Sequence, residues 1–264
     1  MKIIIRPSVY VLSRQIFDQE ALVRFLTGNG VIWESDSENP AEILVETAGR
    51  ICYMSFANPR PGGNKTYLEN LKSQGHGSVL EHAVWSLLIT GVSRSLTHEL
   101  IRHRAGMSYS QLSQRYVDER NSGYVIPHEI VTSNQEIISF WQQAIQSAAD
   151  NYAKLLQMLE AHFEATQGKP TQEEKTTRRK TIRQAARSLL PNAIETKIVV
   201  TANARALRHF IELRSNRHAD TEIRKLANLV LSVMQKEAPN LFGDYQKEPL
   251  ADGTQEAITK YKKV

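Results

Sequence analysis

The chain has 264 residues, 41% hydrophobic and 23% charged, with a formal net charge of +5 and a pI near 9.2. That balance belongs to a soluble globular protein, and the mild positive excess fits anionic small molecules as well as nucleic acid. Cys52 is the single cysteine, which excludes an intrachain disulfide and points to a reducing compartment. No window approaches a membrane span, and the apolar run in Met1 to Arg6 is too short for a signal peptide. A cytoplasmic protein is expected.

No internal repeat or low-complexity linker breaks the chain, so residues 1–264 read as a single domain. Residues 1–39 form an N-terminal extension, polar and loop-rich from Leu22 to Asn39. Pro40 and Glu42 open a helix whose buried side is expected to be Ile43, Val45, Ala48 and Ile51. Asn58-Pro59-Arg60-Pro61-Gly62-Gly63 is a loop signal. Tyr67, Leu68 and Leu71 then fall on a short helix that stops near Gly75. Ala83 to Gly91 is predicted as a strand, too continuously apolar for a solvent-facing edge. Ser93 is placed to cap the next helix, in which Leu96, Leu100 and Ile101 make the apolar stripe. That helix delivers Arg102, His103 and Arg104 at its end.

Ser133-Asn134-Gln135-Glu136 fits a capping box before a long stripe of Ile137, Trp141, Ile145, Ala148, Tyr152, Leu155, Leu156 and Leu159. Gly168-Lys169-Pro170 closes that helix, and Thr171-Gln172-Glu173-Glu174 is a second capping box. The helix behind it carries Arg178, Arg179, Lys180 and Arg183 toward solvent, with Arg187 near its end turned inward. Ile198-Val199-Val200-Thr201 has strand character. Asn203 follows as the N-cap of a helix from Ala204 to Arg214, whose free backbone N–H groups can meet phosphate. Arg205, Arg208, Arg214 and Arg217, with His209 and His218, make a cationic cluster. Residues 245–264 are polar and read as a loose tail.

The densest chemistry lies at Arg102-His103-Arg104-Ala105-Gly106-Met107-Ser108-Tyr109-Ser110-Gln111-Leu112-Ser113-Gln114-Arg115-Tyr116. Three arginines, one histidine and three serines share fifteen positions with almost no apolar side chain. Guanidinium groups at this density, mixed with hydroxyls and amides, suit a nucleotide phosphate. Upstream, His76-Gly77-Ser78-Val79-Leu80-Glu81-His82 holds two histidines and a glutamate. The spacing is not His-Glu-x-x-His and no cysteine ligand is near, so no metal is expected.

Together these blocks resemble the flavin-dependent thymidylate synthases. That family has Arg-His-Arg followed by Ser-x-Arg-Tyr, a His-x-Ser/Thr-x-x-Glu-His segment before a core strand, and an Asn-x-Arg block with a later arginine and histidine. The resemblance spans roughly residues 40 to 240, with the blocks in the same order. It implies an α+β fold, a central mixed or antiparallel sheet packed with long helices. It also implies flavin contacts at Ser78, Arg102, His103, Arg104, Gln111, Asn203, Ala204, Arg205 and His209. Deoxyuridylate ligands are implied at Glu99, Arg102, Ser113, Gln114, Arg115, Arg187 and Arg214. Arg214 matches the arginine that favours ionisation at the uracil N3, a task suited to a group that stays protonated. Ser113 has no adjacent base, so orientation and polarisation are its expected roles.

The implied reaction moves a one-carbon unit from 5,10-methylenetetrahydrofolate to C5 of dUMP. FAD is reduced by NADPH and supplies the hydride, and dTMP and tetrahydrofolate are released. The family is homotetrameric with active sites shared between subunits, which gives two arginine clusters on one chain a reason to exist. One departure is local. Eight residues, Ala105 to Leu112, separate Arg-His-Arg from the serine where the family usually has seven, and the added residue is expected near Ala105-Gly106-Met107. Gln111 stands where many members have Glu, and His209 where some have Asn. UMP in place of dUMP stays open at this stage.

A helical nucleic-acid binder is the competing reading, with the same arginines on phosphate and tyrosines for stacking. The basic residues are interleaved with 28 acids and match no binding module, so neither a nucleic-acid nor a membrane partner is expected. A hydrolase would need a nucleophile–base pair, and none is visible. Cys52 lacks a histidine partner in sequence and is expected to be a small buried residue rather than a nucleophile.

Overall fold

The computed structural model describes residues 1–57 and 61–264, so Asn58, Pro59 and Arg60 of the loop signal lie outside the described residues. Strands β1 (Lys2–Ile4) and β2 (Ser8–Ser13) precede helices α1 (Gln19–Gly28), α2 (Pro40–Ile51) and α3 (Gly63–Ser73). A 3-10 turn at Gly77–His82 leads into β3 (Val84–Ser93), α4 (Arg94–Leu100), β4 (Met107–Gln111) and β5 (Gly123–Val125). Helices α5 (His128–Val131), α6 (Gln135–Gln167) and α7 (Gln172–Ala186) follow, the last running into a 3-10 turn at Arg187–Leu189. The chain then forms β6 (Glu195–Asn203), α8 (Ala204–Arg214), α9 (Thr221–Glu237), α10 (Pro239–Phe242), β7 (Gln246–Pro249) and β8 (Gln255–Ile258). Four strands make a sheet in the order β2-β3-β6-β4, while β1 pairs with β5 in parallel and β7 with β8 antiparallel. This is the expected α+β class.

Two compact units divide the chain. One comprises Met1–Ser8, Ile89–Glu99 and Ser110–Ile198. Its core comes from helical periodicity: Tyr152 and Leu156 of α6 close on Ile182 and Ala186 of α7, and Ile145 closes on Tyr124 and Ile194. The box at Thr171 is complete, with its hydroxyl accepting the Glu174 N–H and the Glu174 carboxylate accepting the Thr171 N–H. The cap of α6 is Asn134 rather than a Ser133 box. Asn134 Oδ1 accepts the Ile137 N–H at 3.0 Å, while the Ser133 hydroxyl donates to the Ile130 carbonyl. Ile137 itself is exposed.

The other unit comprises Val9–Leu88, Leu100–Tyr109 and Val199–Val264. Helix α1 lies inside the stretch expected to be loop. Asp18 caps it through the Ala21 N–H at 2.9 Å, and Leu22 and Leu26 pack with Trp33 and Phe56. Two leucines one turn apart are a faint signal, which explains the omission. Helix α2 buries a face that the apolar pattern does not mark. Val45 is buried as expected, but Ile51 is exposed, while Glu42, Glu46 and Arg50 are within a few per cent of fully buried. They tolerate burial because each is satisfied: Glu42 by Asn240 and Ser37, Glu46 by Arg50, Ser35 and Asn64.

Residues 245–264 are not a loose tail. β7 and β8 pair from Gln246↔Ile258 to Pro249↔Gln255, and Tyr245, Ala257 and Val264 are buried. Charge drives the docking where apolar residues are scarce. Glu256 holds Arg217, and Lys247 donates to the Asn228 carbonyl at 2.9 Å. Arg208, expected in the cationic cluster, is 1% exposed and bidentate on Asp244 at 2.7 and 2.9 Å, with Lys72 on the same carboxylate. Burial pushes the Asp244 carboxyl up, but the hydrogen bonds and charges of Arg208 and Lys72 outweigh it and hold it at about 2. Arg208 is therefore structural.

Candidate active site

In the second unit, Leu100 ends α4 and the chain turns through Arg102-His103-Arg104 into β4. That strand is absent from the sequence reading because its side chains are nearly all polar. Tyr109 on β4 fastens the turn, its hydroxyl 2.6 Å from the His103 carbonyl and 2.9 Å from that of Leu100. Burial pushes the Tyr109 hydroxyl up to about 12, so it remains a donor. Arg102 and Arg104 are exposed, and His103 points inward.

Arg214 Nε donates to His103 Nε2 at 2.9 Å, joining two residues that the sequence places 111 positions apart. Burial first, then the neighbouring Arg214 and His209, lower the His103 imidazole to about 4. His103 is thus neutral at pH 7, and because Nε2 accepts, its proton sits on Nδ1. The ring stands edge-on to Phe210 at 5.4 Å and to His209 at 6.0 Å.

Asn203 caps α8 as expected, Oδ1 accepting the Ala206 N–H at 2.8 Å. The Ala204 N–H donates to the Ala83 carbonyl at 2.8 Å. Two of the first three N–H groups of α8 are therefore committed, and the helix end offers a phosphate less than the sequence suggests. Gly106 sits where the added residue was expected. Its φ is +69°, and a Cβ there would lie 2.6 Å from Asn203 Nδ2 and 3.0 Å from the Ala206 Cβ. Gly106→Ala is expected to destabilise by about 1–2 kcal/mol from the left-handed backbone alone and to displace the Asn203 cap. A lowered Tm together with weakened FAD uptake is the expected result of melting and flavin titration.

Ser78 and Arg205 share a cavity of about 570 Å³, with Arg50, Cys52, Tyr67 and His76 also in its wall. Arg205 pairs with Glu81 at 2.7 Å. Cys52 is exposed, contrary to expectation, because it follows α2 on the rim rather than the core side. Exposure does not make it a nucleophile: its Sγ lies 3.3 Å from the Ala48 carbonyl. Cys52→Ser is expected to retain flavin- and NADPH-dependent dTMP formation. A folded Cys52→Ser protein that binds FAD and dUMP yet makes no dTMP would overturn that view.

In the first unit, Gln111 donates to Thr97 Oγ1 at 2.9 Å and to Thr196 Oγ1 at 3.3 Å. Ser113 Oγ accepts the Arg115 N–H at 3.4 Å, so Ser113 and Arg115 form one tight turn. Gln114 is buried, and Arg115 Nε is buried with no hydrogen-bond partner. Glu99 is half-buried on α4, and Arg187 follows α7. Sequence reasoning missed Arg94. It donates to the Leu112 carbonyl at 3.2 Å, next to Ser113, and burial followed by repulsion from Arg187 lowers its guanidinium, with Glu119 opposing. The signal was its place directly after the Ser93 cap, on the turn of α4 that faces the same way as Thr97. Among the described residues no group of three or more His, Cys, Asp or Glu side chains is placed to hold a metal, and no helix is long and apolar enough to cross a membrane.

An α+β scaffold with arginines around an inward histidine, a wide polar cavity and a Ser-x-Arg turn defines a protein of anionic, nucleotide-like ligands. The model of the family described as "Thymidylate synthase complementing protein" matches residues 35–240, and the chain belongs to that family. It is 50% identical over 241 residues to a flavin-dependent thymidylate synthase of Mycobacterium sp. (strain KMS), covering 90% of this chain and 93% of the relative. A flavin-dependent thymidylate synthase of Corynebacterium efficiens is 45% identical over 233 residues, covering 88% and 90%. The crystal structure of a UMP/dUMP methylase, PolB, from Streptomyces cacaoi bound with 5-Br dUMP has the same fold, with a TM-score of 0.65 at 19% identity over 92% of this chain and 96% of that one.

Proposed function

We propose that this chain is a flavin-dependent thymidylate synthase, methylating dUMP at C5 with 5,10-methylenetetrahydrofolate and releasing dTMP and tetrahydrofolate. The observation that carries the reading is the Arg214–His103 pair, which sets a permanently charged guanidinium against a neutral imidazole beside the Arg-His-Arg turn. Bound FAD, reduced by NADPH, supplies the hydride. The residues present fit that cofactor: Ser78 and Arg205 line one cavity, and Arg102, His103, Arg104, Asn203, Ala204 and His209 belong to the same unit. Gln111, with its amide on two threonines, contributes to the flavin through its carbonyl oxygen.

The chain's own part is binding and electrostatics. Arg115, Arg187 and Arg94 meet the phosphate, and the unpaired Arg115 Nε suits an incoming oxyanion. Ser113, Gln114 and Glu99 orient the nucleotide, with Arg102 beside them. Arg214 stabilises negative charge as the uracil N3 ionises. Residues 1–264 act as one functional domain, in the cytoplasm, in a homotetramer whose sites are shared between subunits, with no nucleic-acid partner. Incubation with FAD, NADPH, methylenetetrahydrofolate and either dUMP or UMP tests the reading by tritium release from the labelled C5. A colourless monomer that takes up no FAD and releases no tritium from either nucleotide would sink it.

A further inference from the structure

The C-terminal hairpin lies beyond the residues matched by the family model, yet it forms one wall of a second cleft. The cleft encloses about 420 Å³, with Arg214, Asn216 and His218 on one side and Thr259 and Lys262 on the other. Its tail wall is fixed along α8. Ser215 Oγ bonds the Ala257 carbonyl at 3.2 Å, Arg208 donates to the Tyr261 carbonyl at 3.3 Å, and Glu212 accepts the Lys263 N–H at 2.9 Å. Lys262 stands between the last two anchors, so its backbone is set although its side chain is exposed.

The charges do not balance. Arg214, His218 and Lys262 face one carboxylate in the lining, Glu212, whose Oε2 already holds the Lys263 N–H. Glu256, the nearest further carboxylate to His218, is engaged by Arg217. Lys262 has no ion-pair partner among the described residues. A basic cleft of this size, opening on the arginine assigned to the pyrimidine, fits one arm of a ligand rather than a whole one.

We propose that this cleft is an anion subsite for the charged arm of a co-substrate, with Lys262 and His218 as its cations. The proposal rests on the reading that Arg214 meets the nucleotide. Two co-substrates carry suitable oxyanions, the folate in its glutamate carboxylates and NADPH in its phosphates. Lys262→Glu, Lys262→Gln and Lys262→Arg in the flavin-loaded full chain distinguish them. Charge reversal is expected to raise the KM of one co-substrate by about tenfold, with kcat and the KM for dUMP unchanged. Lys262→Gln should move the same way by less, and Lys262→Arg should restore wild-type values. If the arm is the folate's, the effect grows from mono- to polyglutamylated methylenetetrahydrofolate. If it is NADPH's, it appears in flavin reduction without folate. Unchanged KM values for both co-substrates in a folded Lys262→Glu or Lys262→Gln protein would overturn the proposal. A wild-type chain that makes no dTMP would instead overturn the reading beneath it.

Discussion

Arg214→Lys is expected to abolish methylation while NADPH still reduces the bound flavin. Lysine keeps the charge but loses the planar fork, and the Nε that now donates to His103 at 2.9 Å has no counterpart on its stem. The half-buried imidazole loses its donor, and the positive charge no longer has a fixed direction. Loss of a preorganised donor to developing negative charge is worth about 10²–10³ in kcat. Stopped-flow bleaching of the flavin and dTMP formation measure the two halves separately. Wild-type turnover by Arg214→Lys would remove this residue from the chemistry. The imidazole adds a pH dependence. Its folded pKa, about 4, lies below the ordinary histidine value, so below that ordinary value the unfolded chain binds more protons than the folded one. Stability contributed by neutral His103 is full at pH 7 and is lost as pH falls toward 4.

The second large effect is expected at Arg115. Removing a charge-assisted contact costs about 1.5–3 kcal/mol, so Arg115→Ala should weaken dUMP binding by roughly ten- to more than a hundredfold. Ser110→Ala should change it little, because Ser110 is exposed on β4 while Ser113 bonds the Arg115 backbone. Titration of flavin fluorescence with dUMP compares them. Equal losses would mean that the serine is wrongly placed across the added residue.

Much of this arrangement is written locally in the chain. Asn203, Thr171 and Ser93 announce helix starts because a cap acts within three residues, and each is found capping. The pairing of His103 with Arg214 is different, since nothing at either position signals a partner more than a hundred residues away. The same holds for Arg208. In sequence it is one more arginine in a basic run, and only the distant Asp244 makes it a core residue. The polar face of α2 escaped because an apolar pattern was sought, whereas Glu42, Glu46 and Arg50 repeat at four-residue spacing with equal regularity. β4 escaped for the related reason that its burial is confined to Met107.

Arg50 shows what a buried polar face is for. Its guanidinium lies 5.0 Å from the Trp33 ring and 4.5 Å from the Tyr67 ring, while its nitrogens bond Glu46 and the Ser55 carbonyl. Every bond that fixes this piece of the cavity wall comes from inside the protein. The wall therefore stands before any cofactor arrives, and loading is a docking event rather than a folding event. Such a pocket fills at a rate proportional to cofactor concentration, and emptying it leaves a vessel that can be refilled.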